Sequence, residues 1–138
     1  MKERLRKARR ICAVAGDLER LAAFRLAEAR GRLAALEGRR AALLAFLAAP
    51  EGHAEFFAAA TMRRLAGLER ELAEARTQLA RSHERRDAEK GRLRQAQRRV
   101  GAAASAAARS EEAASLWEAI EATLRLREPA SGKAGESE

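Results

Sequence analysis

Aromatic side chains are scarce in this chain: four Phe, one Trp and no Tyr make up 4% of 138 residues. A rounded core needs bulky side chains, so an elongated packing of a few helices is favoured over a globule. Cys12 is the only cysteine. That excludes an internal disulfide and points to a reducing compartment. The two histidines, His53 and His83, have no second His or Cys at ligand spacing, so no metal site is expected. No run approaches the roughly 20 apolar residues of a membrane span. The short apolar run Ile11–Gly16 follows a basic segment but stops at Asp17, below the roughly 7–15 residues of a signal-peptide h-region, so export through a cleaved signal is not expected. There is no phosphate loop, and no nucleophile–base pair is evident. The chain is expected to be no enzyme and to carry no cofactor.

What remains is alanine, arginine, glutamate and leucine. Alanine alone is about a quarter of the sequence. That composition with a helical period marks long helices or a coiled coil. The formal net charge is +8, nearly all of it from Arg. A basic chain favours acidic partners: nucleic acid, an anionic membrane surface or an acidic protein groove. The plainer explanation of any one charge run is a solvated helix face.

Proline occurs only twice, and the first falls in Ala49-Pro50-Glu51-Gly52. Proline has no N–H and a fixed φ, so it suits the first turn of a new helix. Gly52 can take the positive φ of a tight reversal. The stretch predicts a turn over 49–52 between helix 1, about 3–48, and helix 2, about 53–127. The fold expected is all-α, a long antiparallel two-stranded helical hairpin forming one domain over 1–127.

A heptad holds its phase along helix 1. With Leu5 at a, the a positions are Leu5, Cys12, Glu19, Leu26, Leu33, Arg40 and Leu47. The d positions are Ala8, Ala15, Ala22, Ala29, Leu36 and Leu43. A strict seven-residue repeat keeps one seam facing a partner. Ile11, Val14, Leu18 and Leu21 form a second stripe beside it. In helix 2 the a positions run Leu65, Leu72, Leu79, Arg86, Leu93, Val100, Ala107 and Ala114. The d positions run Leu68, Ala75, Ser82, Glu89, Ala96, Ala103, Ser110, Trp117 and Leu124. Gly91 and Gly101 weaken this helix, and Gly101 is a candidate bend. The tail, 128–138, lacks a period and is expected to be disordered.

Residues equidistant from the turn pair in an antiparallel hairpin. This places Leu33 near Leu68–Leu72, Leu5 near Ala96–Val100, and Glu19 opposite Ser82–Arg86. A Glu19–Arg86 layer would fix register, because a slip would bury either charge alone; the competing outcome is that both side chains reach solvent independently. Helix 2 outruns helix 1 past about residue 101. Its apolar face at Leu116, Trp117, Ile120 and Leu124 either folds back onto the second stripe or is offered to another molecule. At the open end, Lys2, Arg4, Arg6, Lys7, Arg9 and Arg10 are expected beside Arg92, Arg94, Arg98 and Arg99. Phe56 and Phe57 lie at the opposite tip, beside Pro50 and Gly52.

The basic N-terminus opening into a helix, the bend near residue 50, and the run Phe56-Phe57 … Arg64-Leu65-Ala66-Gly67-Leu68-Glu69-Arg70-Glu71-Leu72 … Gln78-Leu79 resemble the FliJ-type proteins of bacterial flagellar export and type III secretion. Glu84-Arg85-Arg86 and Lys90-Gly91-Arg92-Leu93 extend the resemblance. It implies an antiparallel coiled coil similar to the stalk of rotary ATPases. It also implies contacts with a hexameric export ATPase, the membrane export gate and export chaperones, in the cytoplasm and peripheral to the inner membrane. Two other readings stand beside it: a generic structural coiled coil, and weak nonspecific nucleic-acid binding through Arg-Arg doublets. The second lacks stacking aromatics and a groove-reading motif.

Overall fold

The structure is a computed structural model that describes residues 2–49 and 53–127. Two helices account for nearly all of it: α1, Lys2–Ala48, and α2, His53–Arg127. They pack against each other as a helical hairpin, with no strand among the described residues. The Ala49 N–H donates to the Phe46 carbonyl and tightens the end of α1. Pro50, Gly52 and the tail at 128–138 lie outside the described residues. α2 passes through Gly91 and Gly101 without a break in helical assignment. The chain divides into two compact units, 13–95 and the pair of segments 1–12 and 96–138.

In the unit 13–95 the seam is the one the heptad marks. Ala15, Ala22, Leu26 and Leu36 of α1 are buried, as are Leu68, Leu72 and Ala75 of α2. Leu36, Leu68, Leu72 and Ala75 form one cluster, with Leu33 and Leu43 packed against it. The small d residues suit a close approach of the two helices, and the leucines fill what is left. Leu26 and Leu72 are essentially inaccessible. Each such side chain contributes about 2–3 kcal/mol by leaving water. Arg40, the second polar a residue of α1, escapes the seam and binds Glu69 across it.

In the other unit, Leu5, Ala8 and Cys12 are half-buried on α1, and Ala96 and Ala107 are buried on α2. Every residue from Ala108 to Arg127 is exposed. The apolar face of this extension is open, with Trp117 66% and Leu116 63% accessible. Ile11, Val14, Leu18 and Leu21 of the second stripe are exposed too.

Arg4, beside Leu5, lines a small hollow with Ala102, Ala103 and Ala106. Lys2 reaches Glu111 at 4.0 Å. The partners lie about one helical turn further along α2 than equidistance from the turn gives.

Candidate functional site

The N-terminal segment of α1 places Lys2, Arg4, Arg6, Lys7, Arg9 and Arg10 on exposed positions. Of these, only Lys2 forms an ion pair with a described acid, and that pair is loose and solvated. Six cations within three turns of a helix N-terminus repel one another. The earliest of them also face the positive end of the helix dipole, an unfavourable placement of roughly 0.3–1 kcal/mol per charge. The segment gives up stability that an anionic partner would restore. Arg98 and Arg99 are exposed in the same unit. Arg92 and Arg94 belong to the other unit, and Arg92 binds Glu89. Beside the first turn of α1 stand Ala102, Ala103 and Ala106, with Glu111 within reach of Lys2.

The same unit carries the open face at Leu116, Trp117, Ile120 and Leu124. Glu111, Glu112, Glu118, Glu121, Arg125 and Arg127 surround it, and Arg125 pairs loosely with Glu121 at 4.0 Å. An isolated helix gains little by exposing Trp, Ile and Leu on one side. Such a face suits an interface core with a polar rim.

Within 13–95, Glu19 and Arg86 do meet, with Arg86 Nε 3.7 Å from Glu19 Oε1. Both side chains are partly buried, at 18% and 32% accessible, rather than extended independently into solvent. Sequence reasoning missed their neighbour Glu89. It occupies a d position and is 2% accessible. The Arg92 guanidinium donates to Glu89 Oε1 at 2.8 Å, and Arg85 stands 3.9 Å away. Glu89 Oε2 and Arg86 Nε are buried and make no hydrogen bond within the protein. The signal was present: an acid at d with arginines four residues before and three after can draw cover from its own helix.

At the far end of the seam Phe56 is 91% and Phe57 58% accessible. Cys12 is a free thiol, half-buried in the seam. No group of three potential metal ligands assembles among the described residues, and no described helix is long and apolar enough to cross a membrane. No protein-family model matches the chain, no curated protein matches it in sequence, and no solved structure matches it in fold.

Proposed function

We propose that this chain is a non-enzymatic coiled-coil adaptor of a bacterial flagellar or type III protein export apparatus, coupling the export ATPase to the membrane export gate. The observation that carries this reading is the exposed α2 extension, whose apolar face shares a unit with the exposed basic start of α1. A solvated segment bearing Trp117, Ile120 and Leu124 calls for another molecule, and the cations at the start of α1 favour one with an acidic surface. The sequence resemblance supplies the identity of that molecule: the hexameric ATPase, with the export gate and export chaperones as further partners. The chain would act in the cytoplasm, peripheral to the inner membrane.

The test is binding of the purified chain to a flagellar or type III export ATPase, followed by surface plasmon resonance and by ATP turnover. Micromolar or tighter binding that stimulates turnover is expected. Trp117→Ala should speed dissociation by about tenfold or more while the helical signal stays unchanged, because it removes an anchor rather than a steering charge. Absence of binding, or binding indifferent to Trp117, would remove the reading.

Nonspecific nucleic-acid binding is the second reading, favoured by the exposed doublets Arg9-Arg10, Arg39-Arg40, Arg63-Arg64 and Arg98-Arg99. Duplex affinity falling with salt and vanishing near physiological strength is expected. Tight binding there would reverse the order of the two readings.

A further inference from the structure

We propose that one edge of the unit 13–95 is a docking groove for an acidic amphipathic helix of a partner protein. The surface is separate from the α2 extension and does not depend on the export reading.

The heptad phase identifies the edge. In an antiparallel pair the g residues of one helix flank the g residues of the other, and these flanks normally carry opposite charges. Here α1 offers Arg25, Arg32 and Arg39 at g, spaced seven residues or about 10 Å apart. α2 brings Arg64 and Arg85 at g and Arg81 beside them. Two of the grooves along this side make the placement concrete. One, of about 750 Å³, is lined by Arg25, Arg32, Arg81, Gln78 and Glu28, and continues past Arg85. The other, of about 630 Å³, has Arg39 and Arg64 as walls and Leu43 and Leu68 in its floor. Arg25, Arg32, Arg39, Arg64 and Arg81 form no ion pair with a described acid. Glu28 and Glu71 are the only acids that line these grooves.

Like charges on both walls weaken the hairpin that carries them, so the edge is not explained by hairpin stability. Its chemistry fits a third helix. A helix with carboxylates at heptad spacing repeats along its axis at the same interval as Arg25, Arg32 and Arg39. Arginine forks bind carboxylates in pairs. The floor at Ala29, Leu43 and Leu68 would receive the apolar stripe of such a helix. A nucleic-acid strand fits less well, because no aromatic side chain lines any part of the groove for a base to stack on.

The probe is a fluorescein-labelled 21-residue peptide with leucines at heptad a and d and glutamates at e and g. Controls are a scrambled peptide of the same composition and a 24-base-pair duplex. Binding to the full chain is read by anisotropy at physiological salt. The expected result is preference for the heptad peptide over the scrambled one, and a loss of tenfold or more with Arg25→Glu/Arg32→Glu/Arg39→Glu. The triple Arg30→Glu/Arg70→Glu/Arg76→Glu, away from the grooves, should change binding less than threefold. Should the charge reversals disturb folding, Arg25→Gln/Arg32→Gln/Arg39→Gln serves instead. That variant relieves repulsion, keeps the helical signal and should still lose binding. Equal loss with both reversal triples, equal binding of the scrambled peptide, or tighter binding of the duplex through the same arginines would each overturn the proposal. None of these outcomes bears on Trp117, so this surface and the export reading can fail separately.

Discussion

Replacing Glu89 with leucine should make the protein more stable. Glu89 sits at a d position of the seam, 2% accessible, with one carboxylate oxygen bound by Arg92 at 2.8 Å and the other accepting no hydrogen bond from the protein. Leaving that oxygen dry and unpaired costs about 1–3 kcal/mol. Leucine at the same place would instead bury an apolar side chain, a gain of about 2 kcal/mol. Against this stands the loss of the Arg92 and Arg85 pairings. Both arginines are about two-thirds exposed, at 66% each, so their attraction is screened and their release into water costs little. The balance favours Glu89→Leu by about 2–4 kcal/mol, in the range found when buried ion pairs are replaced by apolar groups. For a chain of this size that is about 3–5 °C in melting temperature per kcal/mol. Urea and thermal melts followed by circular dichroism at 222 nm would measure it. A loss of 1 kcal/mol or more would refute the reasoning, since it would mean the carboxylate is better satisfied in place than its geometry indicates.

Three further outcomes follow from the packing. Glu19→Ala and Arg86→Ala should be non-additive in urea melts, with a coupling above about 0.5 kcal/mol; additivity would mean that the 3.7 Å approach is energetically idle. Leu72→Ala should cost about 3 kcal/mol, because the side chain is fully buried beside Leu36, whereas Leu126→Ala at an 88% accessible site should stay within about 0.5 kcal/mol. Gly101→Ala should raise stability by about 1 kcal/mol, since the glycine is helical and an added methyl meets nothing within 4 Å; a destabilisation would reveal a bend at that point.

The seam from Leu5 to Ala107 could be read from sequence because a seven-residue period is a local pattern. Burial at Leu26, Leu36, Leu68 and Leu72 follows it closely. Register was less visible. It depends on which leucines and alanines of the two helices nest together, and the alignment adopted near Arg4 is about one turn from the one the turn position suggests. Glu89 was hidden because a charged d residue is ordinarily read as an interruption, whereas arginines on its own helix keep it covered. The arginine edge was hidden for another reason. Doublets such as Arg39-Arg40 draw the eye along the chain, while the row at Arg25, Arg32 and Arg39 emerges only once the two g flanks face each other.

The most direct measurement on the central claim is the salt dependence of the rate at which this chain associates with a purified export ATPase hexamer. Fast association at low salt that slows steeply as salt rises is expected. The variant Arg6→Glu/Arg10→Glu/Arg98→Glu should associate at least tenfold more slowly at low salt while melting normally. An association rate unchanged by salt and by those reversals would contradict the account and move attention to the exposed tip at Phe56 and Phe57.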